Sequence, residues 1–162
     1  MFDQYIIKDF NEETYDVDRF LESVRWHNEN GFNVYVGTDS KINKGNIFLV
    51  SVICFHKDGD RNFDSGSSGK VFSIKENIQR KLYPSLRARM LLEANRSIEI
   101  AMALEPVVRG KIEVHLDIGD TIKSKTSAYE KELQSLVISQ GYNCEIKPNS
   151  WASSSVADRV TK

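Results

Sequence analysis

The stretch VYVGTDSK, residues 34–41, contains the residues on which the interpretation of the whole chain depends. Its first half has the β-branched and aromatic residues typical of a strand, and its second half places Asp39 between two hydroxyl residues, Thr38 and Ser40. We predict a strand over residues 33–38 that ends just before Asp39. An aspartate in this position is typical of a turn, here KINKGN at residues 41–46. A carboxylate at the end of a strand is equally suited to bind a metal ion.

The segments on either side of this stretch alternate in the manner of a mixed α/β fold. Apolar residues at helical spacing between Val17 and Val24 predict a leading helix, which NENG at 28–31 ends. The patterns that follow predict strands at 47–56, 71–74, 112–118 and 143–147, and helices at 84–104, 124–139 and from 153 to the last residue. The predicted order is β-β-β-α-β-α-β-α, a mixed five-stranded sheet with helices on both faces and an extra N-terminal helix.

Length and composition predict an ordinary globular protein. The 162 residues, 40% hydrophobic and 28% charged, suit one domain over residues 1–162, in which residues 1–30 form a helical extension. No apolar run approaches the roughly 20 residues that span a bilayer, so no membrane segment is predicted. Cys54 and Cys144 match no metal or redox spacing, and free thiols in a reducing cytoplasm are the expectation. The sequence predicts no oligomeric state.

The charge distribution is uneven although the net charge is only −1. Residues 1–30 hold eight acids and three bases, a net of −5, and the remainder therefore carries +4. The basic part includes a cluster of six residues that either meets phosphate groups or forms a solvated helix face: Lys75, Arg80, Lys81, Arg87, Arg89 and Arg96.

Glu93 lies in an unusual place on the longest predicted helix. It belongs to a stripe with spacings of three and four residues, formed by Leu86, Met90, Glu93, Ser97, Ile100 and Leu104. The stripe predicts that Glu93 faces the sheet, where an unpaired carboxylate would be destabilising. The alternative is that the stripe is drawn one position wrong and that Glu93 is exposed beside Arg89 and Arg96.

Two further acids follow the predicted elements of the C-terminal half. Asp117 ends the fourth strand in VHLDIGD, residues 114–120, at the carboxyl edge where open α/β sheets bind ligands. Asp120 is the weaker candidate because it lies in the turn itself. Asp158 belongs to the last helix, where Ser155-x-x-Asp158 also imitates a capping box. Each of these acids taken alone has a structural explanation.

Taken together, Asp39, Glu93, Asp117 and Asp158 predict a metal centre. Clustered carboxylates repel each other and raise one another's pKa unless cations lie between them. Ligation by oxygen alone suits Mg²⁺ or Mn²⁺. Two such ions about 4 Å apart promote hydrolysis of a phosphodiester, a reaction that needs no His or Cys nucleophile.

At this point the sequence resembles the ribonuclease H-like superfamily, and more narrowly its YkuK-like family. The resemblance rests on four segments: VYVGTDSK (34–41), RMLLEANRSIEIA (89–101), VHLDIGD (114–120) and KPNSWASSSVADRVTK (147–162). It implies that Asp39, Glu93, Asp117 and Asp158 bind two Mg²⁺ or Mn²⁺ ions. It also implies a nuclease that leaves 3′-hydroxyl and 5′-phosphate ends on RNA, DNA or a hybrid of the two.

Several neighbours of these acids have two interpretations each. Thr38 and Ser40 either orient a metal-bound carboxylate or are ordinary strand-end polarity, the latter more so for Ser40. His115 either tunes the site or is a hydrogen-bonded core histidine. The same choice between function and ordinary structure holds for residues that could meet phosphates or bases: Lys41, Lys123, Lys125, Tyr35 and Trp151.

Three functions compete on this basis. The first is a metal-dependent nuclease or related phosphodiesterase. The second is a non-catalytic ribonuclease H-like module that binds nucleic acid or a protein. The third, an ATP site suggested by LDIGDT at 116–121, is set aside because that machinery needs two such lobes around a cleft, and 162 residues supply one.

Overall fold

A computed structural model describes residues 1–57, 70–118 and 129–161 of the chain, without the side chains of residues 154, 158 and 161. The predicted connection at 57–70 and the start of the predicted helix at 124 therefore lie largely outside the described residues. The strands are β1 (Ile7–Asp9), β2 (Thr14–Tyr15), β3 (Asn33–Asn43), β4 (Asn46–His56), β5 (Val71–Gln79), β6 (Glu113–His115) and β7 (Asn143–Glu145). The α-helices are α1 (Val17–Glu29), α2 (Leu86–Leu104), α3 (Glu130–Ser139) and α4 (Asp158–Thr161).

The strands form one mixed sheet in the order β2-β1-β5-β4-β3-β6-β7. Strands β3, β4 and β5 are joined antiparallel, whereas β6 and β7 add to β3 in parallel. The prediction of a mixed sheet is correct, but the predicted number of five strands is wrong because the sheet has seven. The two extra strands are β1 and β2, which extend the sheet beyond β5.

Strand β3 is longer than predicted. It runs in register with β4 from Asn33, opposite His56, to Asn43, opposite Asn46, and so includes the first half of the predicted KINKGN turn. Only Lys44 and Gly45 connect the two strands, and Lys44 adopts the left-handed conformation with φ 57° that such a tight connection needs. The consequence for function is that Asp39 lies within a paired strand.

One face of the sheet carries the long helices. Helix α2 begins after Ser85, whose Oγ accepts a hydrogen bond from the amide of Ala88 at 3.0 Å. Helix α1 begins in the same way after Asp16, which accepts from the amide of Arg19 at 2.7 Å. These helices and α3 bury apolar residues in one shared core: Phe20, Val24, Ile100, Leu104, Leu133 and Val137.

The other face carries the C-terminal helices. A π-helix over Ala152–Ala157 continues into α4. Ala152, Val156 and Ala157 bury a small apolar cluster against Tyr35 of β3 and Val52 of β4. Helices thus cover both faces, as predicted. Within the described residues, no helix combines the length and apolar character that a membrane span requires.

Candidate functional site

Asp39 lies in the middle of β3, and the prediction that it follows the strand is wrong. It is opposite Val50 of β4, and only 8% of its surface is exposed. Successive residues of a strand point to opposite faces, and Tyr35 packs in the cluster with the C-terminal helices. Asp39 is four residues further along and therefore belongs to that same face.

Glu93 lies on the sheet-facing side of α2, as the stripe predicts. Met90, Ser97, Ile100 and Leu104 of the stripe are buried, and Ser40 donates a hydrogen bond from Oγ to Glu93 Oε2 at 2.5 Å. The interpretation that the stripe is drawn wrong is therefore excluded. Leu86 departs from the pattern, because it is 37% exposed at the start of the helix.

The electrostatic environment of Glu93 brings three of the predicted acids together. Its pKa is raised from 4.5 to about 8, mainly by burial and in addition by the negative charges of Asp39 and Asp117, against the lowering effects of the Ser40 hydrogen bond and the Arg89 charge. Asp39 and Asp117 are therefore close enough to Glu93 to repel its charge. In the cation-free protein Glu93 holds its proton at neutral pH.

Asp117 comes two residues after β6, at the carboxyl edge of the sheet as predicted. Backbone pairing with the chain after β7 continues here, since the Lys147 amide donates to the Ile118 carbonyl at 3.1 Å. This pairing brings the Lys147 side chain to Asp117, and Nζ lies 3.0 Å from Oδ1. Lys147 thus supplies a positive charge beside Asp117.

Asp158 is the first residue of α4, and its side chain lies outside the described residues, as do Asp120, Lys123 and Lys125 entirely. The backbone that precedes it lies against β3. A Cβ atom built on Gly37 would lie 2.5 Å from the Ser153 amide nitrogen and 2.8 Å from the Ala152 carbonyl carbon. The two backbones meet at a distance that only glycine permits.

Gly37 is therefore a structural determinant of this face of the sheet that the sequence interpretation missed. Its signal was a lone glycine inside an otherwise apolar strand, which often marks the close approach of another backbone. Gly37 brings the C-terminal helices against β3 two residues before Asp39. The contact places the start of α4, and with it Asp158, on the face of the sheet to which Asp39 belongs.

His115 holds the same helices from the neighbouring strand. It is completely buried, and its Nδ1 accepts a hydrogen bond from the Ala152 amide at 3.0 Å. Because Nδ1 is an acceptor, Nε2 carries the proton and donates to Glu113 Oε1 at 2.7 Å. His115 is therefore a hydrogen-bonded core histidine, one of the two roles that the sequence left open.

The aromatic residues near His115 pack against each other. The rings of Tyr35 and Trp151 are 4.7 Å apart, and the Trp151 ring also meets the His115 ring edge-on at 5.0 Å. Tyr35 is 8% exposed. Packing thus accounts for both residues, and stacking on a nucleic-acid base is not needed to explain them.

Thr38 and Ser40 have different kinds of partner: Thr38 contacts other hydroxyls, and Ser40 contacts an acid. The Thr38 hydroxyl lies 3.0 Å from Ser51 Oγ and 2.7 Å from Ser97 Oγ, so that it joins β3, β4 and α2 in a buried network. These contacts give Thr38 a structural role, and its orientation of the Asp39 carboxylate stays a prediction. Ser40 contacts an acid instead, but the acid is Glu93 and not its neighbour Asp39.

Three members of the predicted basic cluster are engaged by acids. Arg96 donates from Nε and Nη2 to Glu76 at 2.7 and 2.9 Å, and Arg87 pairs with Glu132 of α3. Lys75 lies 3.9 Å from a carboxylate oxygen of Glu12. Half of the six residues are therefore paired with acids within the fold, and whether the cluster meets phosphate groups stays a prediction.

The donor chemistry and the geometry of the acids give different answers about a metal. Asp39, Glu93 and Asp117 offer oxygen ligands only, and the charges of Asp39 and Asp117 disfavour the ionised form of Glu93 in addition to its burial, a repulsion that a divalent cation would relieve. In the part of the chain that is described, however, no three His, Cys, Asp or Glu side chains converge so as to hold an ion. The donor set fits Mg²⁺ or Mn²⁺, and ligation requires the side chains to move closer together.

Comparison with known proteins identifies the architecture. The ribonuclease H-like family model matches residues 16–162, nearly the whole chain. This match confirms the resemblance seen in the four sequence segments. No curated protein and no solved structure matches the chain.

Proposed function

This chain belongs to the ribonuclease H-like family, and we propose that it is a Mg²⁺- or Mn²⁺-dependent nuclease that hydrolyses a nucleic-acid phosphodiester. The observation that supports this most is the position of Glu93, which faces the sheet beside Ser40 and whose pKa is raised by burial and by the charges of Asp39 and Asp117. A protein gains no stability from pressing three acids together. Their cost in stability is expected where a functional site requires them.

In this proposal Asp39, Glu93 and Asp117 hold the cations, and Asp158 completes the second position. When bound, two divalent cations generate a nucleophile from water at neutral pH and offset the charge on the leaving oxygen. The remaining tasks fall to the protein. Ser40 donates to Glu93 Oε2 and so fixes the orientation of the carboxylate, while Lys147 balances the charge of Asp117 until a cation enters.

Glu93 must also lose its proton before it can bind a cation. Its pKa of about 8 leaves most molecules protonated at pH 7, so cation binding releases a proton and strengthens as the pH rises. The protonated Glu93 and the Lys147–Asp117 ion pair both belong to the cation-free state, in which they reduce the negative charge of the acidic site.

The test is a Mn²⁺ titration by calorimetry of the wild type, Asp39→Asn and a control, Asp18→Asn. Asp18 is an exposed residue of α1, so the control removes the same charge away from the site. We expect binding that is lost in Asp39→Asn and kept in Asp18→Asn. Equal binding by all three proteins contradicts the proposed ligand set.

The same three proteins are then incubated with RNA, DNA and hybrid oligonucleotides in Mn²⁺. Loss of a metal ligand should reduce cleavage by at least about 100-fold, since metal binding and transition-state stabilisation are both impaired. Cleavage at the wild-type rate by Asp39→Asn rules out the mechanism. This assay also detects cations that bind only together with the substrate.

A non-catalytic module that binds nucleic acid or protein is the second candidate. It is favoured by the Lys147–Asp117 ion pair, which occupies one acid without a metal. It predicts oligonucleotide or protein binding without Mn²⁺ binding and without cleavage. For either function we propose a cytoplasmic location, because Cys54 and Cys144 are both free thiols.

A further inference from the structure

Arg89 lies at the border of the acidic site without a strong partner of its own. It precedes Glu93 by four residues and thus lies one helical turn away on the same side of α2. Its Nη2 is 3.5 Å from Ser40 Oγ, a long contact. Its Nε is buried and has no hydrogen-bond partner within the described part of the chain.

The two other arginines of α2 are in a different situation. Arg96 uses Nε, Nη1 and Nη2 to bind Glu76 and Glu99. Arg87 donates to Glu132. Both therefore have carboxylate partners that fix α2 to the rest of the fold, and Arg89 has a hydroxyl at the limit of hydrogen-bond distance.

A buried donor without an acceptor is unfavourable, and the penalty is relieved by any acceptor that reaches it. The Arg89 side chain reaches Ser40, and its positive charge lowers the pKa of Glu93. Nε itself is enclosed by the protein, whereas the Arg89 side chain as a whole is only half-buried, so an acceptor that arrives from solvent would meet the other guanidinium nitrogens beside Glu93. A phosphate group is the acceptor whose geometry the guanidinium matches best, because two parallel N–H groups meet two oxygens.

We propose that Arg89 is a phosphate-binding residue, which receives a phosphodiester group of a nucleic-acid strand beside Glu93. This inference rests on the proposed function for its substrate class, but the contact itself requires no catalysis. Arg89 would position the nucleic-acid strand through a contact with the strand's phosphate backbone. It would not distinguish between bases, because phosphate contacts carry no sequence information.

The test measures binding of fluorescein-labelled single-stranded RNA, single-stranded DNA and a hybrid duplex by fluorescence anisotropy. Each titration is made in EDTA and again in Ca²⁺, at several salt concentrations. The variants are Arg89→Gln and the matched control Arg87→Gln, which removes the same charge two residues away on the same helix. Urea unfolding of both variants shows whether they are folded.

If Arg89 contacts a phosphate, Arg89→Gln weakens binding of every sequence to a similar extent. The slope of log K against log salt concentration falls by about 0.7 for a single strand and about 0.9 for a duplex. Arg87→Gln keeps the wild-type slope, because its side chain binds Glu132. Arg89→Lys should keep the positive charge and most of the salt dependence, but it should bind more weakly because lysine cannot donate two parallel hydrogen bonds to one phosphate group.

Three results overturn the inference: an unchanged slope in Arg89→Gln, an equal loss in Arg87→Gln, or no binding by the wild type under either condition. The result is separable from the nuclease proposal. Arg89-dependent binding without cleavage in Mn²⁺ removes the nuclease and leaves the phosphate contact. Cleavage with an unchanged KM in Arg89→Gln removes the phosphate contact and leaves the nuclease.

Discussion

The two faces of the sheet hold their parts of the acidic site by different means. On the face of α2, the hydroxyls of Thr38, Ser51 and Ser97 join β3, β4 and α2 in a buried network. Ser40, the next residue of β3 on this face, donates a hydrogen bond to Glu93. A core built from three long helices lies behind this network. On the other face, the C-terminal helices bury a small apolar cluster. They depend on the close contact at Gly37 and on the hydrogen bond from Ala152 to His115.

Because of this difference, we expect the two halves of the site to differ in local stability. Glu93 is fixed by packing that the whole fold requires, so few changes move it without unfolding the protein. Asp158 begins a helix of only four residues, which the Gly37 backbone contact, the Ala152–His115 hydrogen bond and a small apolar cluster attach to the sheet, and we expect this segment to detach in a local transition before global unfolding. Substitutions on the two faces should therefore give different signatures.

The largest effect should come from Gly37→Ala, which breaks the C-terminal attachment. The new methyl group meets backbone atoms at 2.5 to 2.9 Å, and neither chain can yield by a rotamer change. We expect a loss of about 3 kcal/mol in the free energy of unfolding. Hydrogen exchange should show faster exchange at residues 150–161 than in α2.

Gly45→Ala is the matched control, because the added methyl group has no atom within 4 Å and Gly45 lies in an exposed connection. It should change the free energy of unfolding by no more than about 0.5 kcal/mol. Equal destabilisation by the two substitutions, or a uniform rise in exchange across α2 and the C-terminal segment, contradicts the proposed difference between the faces.

Glu93 provides a second test through pH in EDTA. Its pKa is about 8 in the folded protein and 4.5 ordinarily, so the folded state binds the proton more tightly than the unfolded state. Its contribution to stability is complete below pH 4.5 and is lost as the pH rises to 8. The loss is at most about 1.4 kcal/mol per pH unit, and we expect about 2 kcal/mol between pH 5 and 8 because the residue is partly exposed.

Urea unfolding of the wild type and Glu93→Gln at these pH values measures this contribution. Glu93→Gln should lack this pH-dependent contribution to the free energy of unfolding, and it should be more stable than the wild type at pH 8. Glu22→Gln, at an exposed position of α1, should keep the wild-type dependence. A parallel pH dependence in Glu93→Gln and the wild type refutes the assignment of the raised pKa.

His115 tests the C-terminal face with a pair of substitutions. His115→Asn keeps an acceptor near the position of Nδ1, whereas His115→Leu leaves the Ala152 amide without a partner. The leucine variant should be less stable than the asparagine variant by about 1 to 2 kcal/mol. Exchange of the Ala152 amide, followed by NMR, should be fast in the leucine variant and slower in the asparagine variant. Equal exchange rates would show that His115 acts through packing alone.

The sequence predicts the main elements of the fold but not the extent of the sheet. Periodicity identifies α2 and the long strands because each buries its own regular face. Strands β1 and β2 were missed because they have only three and two residues and form through pairing: β1 pairs with β5, more than 60 residues away, and β2 pairs with β1. The end of β3 was misplaced because Asp39 and Ser40 are polar residues buried inside a strand. Local propensity disfavours such residues in that position.

The contacts of the site are harder to predict than the position of its elements. The stripe on α2 places Glu93 on the inner side because one helix determines which residues share a face. The partners of Thr38, Ser40 and Arg89 depend on the distance between α2 and β3, which no local pattern contains. The contact at Gly37 was partly predictable. A glycine inside a strand signals that another backbone comes close, but it does not identify which segment does so.

The smallest effect tests the hydroxyl network on the α2 face by a double-mutant cycle. Thr38→Val removes the hydroxyl that joins Ser51 and Ser97, and Ser97→Ala removes one of its partners. Each should lower the free energy of unfolding by about 1 kcal/mol, and the double variant should lose less than the sum because the two hydroxyls share one hydrogen bond. Exchange at residues 150–161 should stay unchanged, since the network lies on the opposite face. Ser139→Ala, at an exposed position of α3, is the control. Strict additivity would mean that the two hydroxyls are satisfied independently, and Glu93 would then be fixed by apolar packing and Ser40 alone.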